Sequence, residues 1–198
     1  LVEAARAHRL PLVHVSSDYV FDGTREEHDE TEPFSPLGVY GQTKAAGDAL
    51  VTAYERGYVV RTSWVVGDGP NFVRTMASLA DRGIEPSVVD DQFGRLTFAA
   101  DLAAGIEHLL SVGAEPGVYN LTNSGPVRTW ADIAADVFEL RGRVRDAVNP
   151  VSTAEYGAGK PMAPRPRHSA LALSKLRATG FEPPAAAERL ADYVKDLP

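Results

Sequence analysis

The 198-residue sequence predicts an α/β fold built on a mainly parallel sheet, because short apolar runs alternate with helical stretches along the chain. A second observation points the same way. The first apolar run, Leu12 to Val15, follows Pro11 and breaks into Ser16-Ser17-Asp18 where a buried strand should end, and open α/β sheets place their sites at such ends. Composition agrees, with 44% hydrophobic and 24% charged residues sufficing for a real core.

In chain order, Leu1 to Arg9 reads as the tail of a helix feeding the Leu12 strand. Gly41 to Tyr54 is predicted helical, Tyr58 to Thr62 a strand, and Gly67-Asp68-Gly69-Pro70 a loop. Phe72 to Arg82 is a further helix and Ser87 to Val89 a further strand. Asp101 to Ser111 has Asp101 as a plausible N-cap and Leu102, Ile106, Leu109 and Leu110 along one face. Val118 to Leu121 is the last predicted strand. Thr129-Trp130-Ala131-Asp132 resembles a capping box opening a helix through Phe138, with Gly142 near its stop. Residues 149–169 are rich in Pro, Gly and Ala, with Lys160, Arg165, Arg167 and His168 spaced among them, and read as a linker or a binding loop.

Several function classes are disfavoured. A net charge of −7 argues against a nucleic-acid footprint. No apolar run approaches the ~20 residues that span a bilayer, and no signal-peptide order is visible. The absence of cysteine excludes disulfides, a catalytic thiol and Cys-ligated metals, and fits a reducing cytoplasm. The acidic run Glu26, Glu27, Asp29, Glu30, Glu32 reads as a solvated lid, because it lacks the ligand spacing of a calcium loop, and no metal site is expected. His8, His14, His28 and His108 suit solvated or core-satisfied roles.

Tyr40 and Lys44, four residues apart, share one helix face. A fixed cation beside a phenol favours the phenolate and brings proton transfer within reach of neutral pH. Ser17, at the strand end, is placed to hydrogen-bond a substrate oxygen beside Tyr40. Taken singly, Ser16, Ser17 and Asp18 are ordinary turn residues and the Tyr/Lys spacing is common. Together they make a Ser, Tyr, Lys constellation.

The blocks Ser17-Asp18-Tyr19-Val20-Phe21-Asp22-Gly23, Ser35-Pro36-Leu37-Gly38-Val39-Tyr40-Gly41-Gln42-Thr43-Lys44 and Arg61-Thr62-Ser63-Trp64-Val65 resemble the extended short-chain dehydrogenase/reductase superfamily. Within it they are similar to the dTDP-4-dehydrorhamnose reductases. Asn71 to Met76, Asp91-Gln92-Phe93-Gly94, Gly117 to Leu121 and Arg165-Pro166-Arg167-His168-Ser169 extend the likeness over nearly the whole chain. Gly38, Leu96 and Ser17 stand where the family commonly has Asn, Pro and Thr.

The resemblance implies part of a Rossmann-type doubly wound parallel sheet with a small C-terminal substrate-binding lobe. Residues 1–66 and 97–125 would belong to the nucleotide-binding domain, and 67–96 and 126–198 to the lobe. A glycine-rich cofactor turn after a strand is not among these residues, so the chain is expected to be a C-terminal portion of such a protein. NADPH, or NADH, is the implied cofactor, with Ser16, Tyr40 and Lys44 at its nicotinamide end. Tyr40 would be the general acid, Ser17 a donor to the same oxygen, and Lys44 the neighbouring cation. Asp18, Tyr19, Trp64, Asn71, Arg165, Arg167 and His168 would contact a dTDP-sugar, although Asn71 and Gln92 equally suit capping and turns. Tyr19 takes the place of the Glu that follows the active-site Asp in related dehydratases, which favours reduction over elimination. A related 4-ketoreductase or epimerase, or a non-catalytic protein resembling the regulatory subunit of methionine adenosyltransferase, is the alternative. A homodimer is compatible with the resemblance; nucleic-acid and membrane partners are not expected.

Overall fold

The computed structural model describes residues 1–198. Its centre is a three-stranded parallel sheet of β1 (Leu12–Ser17), β2 (Gly57–Thr62) and β7 (Gly117–Asn120), in the order β1-β2-β7. The register pairs Leu12 with Gly57 and Ser17 with Thr62, so the polar ends of β1 and β2 lie side by side. All six residues of β2 are buried, as expected of a central strand covered on both faces. The sheet is framed by α1 (Val2–His8), α2 (Val39–Thr52) and α4 (Ala99–Ser111). The single hydroxyl proton of Tyr54, just beyond α2, is shared between the carbonyls of Leu10 at 2.8 Å and Ala5 at 3.1 Å and ties α1 to the sheet.

A second and larger core of 17 buried residues gathers α3 (Phe72–Asp81), α5 (Trp130–Leu140) and α8 (Ala186–Lys195). The apolar faces of these helices meet through Val73, Met76, Val137, Phe138, Leu190 and Val194. Val66 and Phe98, at the edges of the sheet-forming segments, pack into this core as well. Short strands complete it: β3 (Val65–Val66) runs parallel to β6 (Thr97–Phe98), and β4 (Ser87–Val89) parallel to β9 (Asn149–Val151). An antiparallel pair joins β5 (Phe93–Gly94) to β8 (Arg128–Thr129). No helix is long and apolar enough to cross a membrane.

The capping box at Thr129 forms as its sequence predicts, with reciprocal 3.0 Å bonds between Thr129 and Asp132. Asp101 departs from its predicted capping role. Helix α4 begins earlier, at Ala99, behind Phe98, and Asp101 lies buried in its first turn. There its carboxylate accepts hydrogen bonds from Asn123 and Arg189, joining α4 to the loop after β7 and to α8. Residues 149–169 are not a single loop either, because they open with β9 and the one-turn helix α6 (Thr153–Tyr156). Nor is the acidic run simply solvated. Glu30 accepts the Asn120 backbone N–H, and Glu32 bonds His28, which is fully buried and stacks on Phe21 at 4.7 Å.

Candidate active site

The site grows from the end of β1. Ser17 accepts the Tyr19 backbone N–H at 3.2 Å and so caps a single 3-10 turn, Asp18–Val20, that redirects the chain. Helix α2 then packs directly onto this turn. A Cβ at Gly41 would lie 2.1 Å from the Tyr19 carbonyl oxygen, so only glycine allows so close an approach. The approach brings Tyr40 beside Tyr19, their rings edge to face with centroids 5.5 Å apart. One turn along α2, the Lys44 ammonium donates to the Val15 carbonyl and is fixed to the edge of β1.

Ser17, Tyr19 and Tyr40 border a cleft of about 390 Å³. Ser16, Ser17, Asp18, Tyr19 and Tyr40 line it together with Trp64 and Arg165. Tyr40 is more than half exposed, so its phenol is open to a ligand. Arg165 reaches the Tyr19 hydroxyl at 3.4 Å, bringing a guanidinium to the mouth of the cleft. Trp130, which the sequence reading did not single out, lies against Trp64 and lines the same cleft. An adjoining hollow of about 360 Å³ shares Trp130 and Arg165 and is walled mainly by apolar side chains, with Gln92 among its polar ones. The largest groove, about 920 Å³, holds none of the predicted residues. Its lining sets Glu85, Asp90, Asp132 and Asp146 against the single cation Arg145, a net negative field that disfavours a diphosphate.

Electrostatics single out Asp18. Burial pushes its carboxyl up to about 6, against the opposing effect of the nearby Ser169 and Ser17 hydroxyls. The Ser17 hydroxyl donates to one carboxylate oxygen at 2.9 Å, while the other is buried and makes no hydrogen bond within the chain. Burial also raises the Tyr19 phenol, an effect that Arg165 partly opposes. Ser16 Oγ is a further buried atom with no partner in the chain.

Four predicted residues do not line the cleft, and Lys44, whose ammonium is held by the Val15 carbonyl, is one of them. Asn71 caps α3: its carbonyl oxygen accepts the Arg74 N–H, and its amide nitrogen lies within hydrogen-bond distance of the Gly67 and Gly69 carbonyls and the Tyr193 hydroxyl, so both of its N–H donors are engaged within the chain. Arg167 and His168 do not border the cleft, because Phe93 holds both side chains. The His168 ring stacks on Phe93 with centroids 5.1 Å apart, and the Arg167 guanidinium lies 5.8 Å from the centre of the same ring.

The family described as RmlD substrate binding domain matches residues 1–198. A dTDP-4-dehydrorhamnose reductase from Streptomyces griseus is 40% identical over 195 residues, covering 92% of this chain and 62% of that protein. A probable dTDP-4,6-dihydroxy-2-methyloxan-3-one 4-ketoreductase from Streptomyces antibioticus is 40% identical over 190 residues, with 92% and 62% covered. Among solved structures, the dTDP-4-dehydrorhamnose reductase of Bacillus anthracis in complex with NADP superposes with a TM-score of 0.86 at 35% identity, covering 98% of this chain and 68% of that one. The chain thus spans a little under two thirds of the length of the curated relatives it matches. With the full-length family match and this level of identity, the 198 residues belong to the RmlD substrate-binding-domain family.

Proposed function

We propose that this chain carries the proton-donating and sugar-binding half of an NADPH-dependent reductase that converts dTDP-4-dehydrorhamnose to dTDP-L-rhamnose. The observation that carries the reading is the convergence of Ser17, Tyr40, Trp64 and Arg165 on one cleft at the end of a parallel sheet. Likeness to reductases that act on dTDP-4-keto sugars supports the substrate class.

Charge development sets the roles. As the C4 carbonyl is reduced, its oxygen gains negative charge and needs both a hydrogen-bond donor and a proton. Tyr40 gives the proton from its exposed phenol. Ser17 donates a hydrogen bond to the same oxygen by turning its single proton away from Asp18, while the Tyr19 N–H keeps Oγ in place. Lys44 is anchored through the Val15 carbonyl and has two further N–H donors for a ribose hydroxyl. Arg165 meets a diphosphate oxygen at the cleft mouth. The residues fit the nicotinamide end of a dinucleotide, since the unpartnered buried hydroxyl of Ser16 and the ammonium of Lys44 flank the end of β1. NADPH, when bound, supplies the hydride.

Reduction of a different dTDP-4-keto sugar is the second reading, favoured by the likeness to the Streptomyces antibioticus 4-ketoreductase. Residues 1–66 and 97–125 belong, in this reading, to the nucleotide-binding domain and the remainder to the sugar-binding lobe. A cytoplasmic location fits a cysteine-free chain that uses a nucleotide sugar. The test is NADPH oxidation on adding dTDP-4-dehydrorhamnose to the native polypeptide that carries these residues. Turnover supports the assignment. Faster turnover of another dTDP-4-keto sugar selects the second reading, and binding of sugar nucleotide or NADPH without turnover would make the chain a non-catalytic partner.

A further inference from the structure

The chain has two tryptophans, and they form one stacked pair: Trp64 and Trp130 lie with ring centroids 3.8 Å apart and planes inclined by 19°. Only two non-glycine residues have positive φ. One is Arg9, the left-handed cap that ends α1, and the other is Trp64, at φ 47°. Trp64 ends no helix. It sits between β2 and β3, and a bulky aromatic in this conformation persists only where its surroundings over-determine it.

The surroundings do so from two sides. Trp130 covers one face of the indole, and is itself fixed as the first residue of α5, behind the Thr129 capping box and against Phe72 at 4.6 Å. Elsewhere the ring lies so close to β5 that a Cβ at Gly94 would come within 2.8 Å of its Cε2 and Cζ2 atoms. Gly94 has an ordinary φ, so the glycine there provides space for the indole rather than a turn.

We propose that Trp130 is a positioning residue for sugar binding. It holds Trp64 in its left-handed conformation, so that a side chain packed against the second core, itself lining the cleft, sets the shape of the surface that the cleft shares with Ser17 and Tyr40. This rests on the reading of the cleft as the sugar-nucleotide site.

Stacked indoles give an exciton couplet in circular dichroism, which reads the geometry without any ligand. In the native polypeptide the wild type shows the couplet, and Gly94→Ala, which keeps both indoles but displaces Trp64, weakens it. Trp130→Leu raises KM for the keto-sugar nucleotide at least about tenfold while kcat and the KM for NADPH change only a few-fold, and Trp130→Phe restores most of the loss because a flat ring still backs Trp64. Gly94→Ala raises the sugar KM in the same way, and keeps the proposal falsifiable if Trp130→Leu does not fold. A wild-type sugar KM in Trp130→Leu, or in Gly94→Ala with a weakened couplet, would overturn the inference alone. A wild type that shows the couplet but binds no sugar nucleotide would remove the functional reading, and this inference with it.

Discussion

Around the ends of β1 and β2 the interior holds Ser16, Ser17, Asp18, Asp48, Arg61 and Asn120, whereas around α5 it holds Ile133, Ala134, Val137 and Phe138. The first region is held by directed contacts. Arg61 donates to Asp48 at 2.9 Å and lies between the rings of Phe21 and Phe34, at 5.0 and 5.2 Å. Yet Ser16 Oγ, Asp18 Oδ2 and Asn120 Oδ1, in this region, are buried without a hydrogen-bond partner in the chain, while His14 Nε2 and Asp48 Oδ1 face each other at 3.5 Å. Such atoms are costly to desolvate. The α5 region has none of them and is stabilised by close packing. One half of the molecule thus supplies stability, and the other keeps polar groups in a state that a ligand can complete.

The packed region is most sensitive at Phe138. Phe138→Ala should destabilise the chain by about 3–5 kcal/mol, read from the denaturant midpoint, because a fully buried ring leaves a cavity between α3, α5 and α8. A loss below about 1 kcal/mol would show that this core is not the main source of stability.

Asp18 sharpens the contrast in the opposite direction. The folded protein keeps its proton up to pH about 6, whereas an unfolded aspartate releases it near pH 4. The native state therefore binds more protons in that window, and its stability falls as pH rises through it. Asp18→Asn removes the titration, so the variant should gain on wild type from pH 4 to pH 6 and then hold a plateau of about 1–3 kcal/mol. A difference in melting temperature that does not vary with pH would contradict the burial argument. Thr129→Ala is the smallest step: loss of the α5 cap should lower stability by about 1 kcal/mol without altering the fold.

What the sequence made legible follows the range of the interactions. β1, the Tyr40/Lys44 face of α2 and the Thr129 cap are local patterns, and each formed within a few residues of its predicted place. Strands β3, β5, β6 and β8 are two residues long, too short to carry a period. Asp101 reads as a cap locally, but Asn123 and Arg189, distant in sequence, draw it inside. Trp130 joins the site only by stacking on a residue 66 positions away, and Arg167 and His168 leave it because Phe93 captures them. Neither pairing has a local sequence signal.

Whether the polar strand end delivers a proton through Tyr40 is decided by Tyr40→Phe in the native polypeptide. Tyr40 is largely exposed, so removing its hydroxyl leaves the fold intact. With circular dichroism and sugar-nucleotide binding unchanged, kcat for the keto-sugar should fall by about 10²–10⁴. Turnover within a few-fold of wild type would exclude Tyr40 as the proton donor.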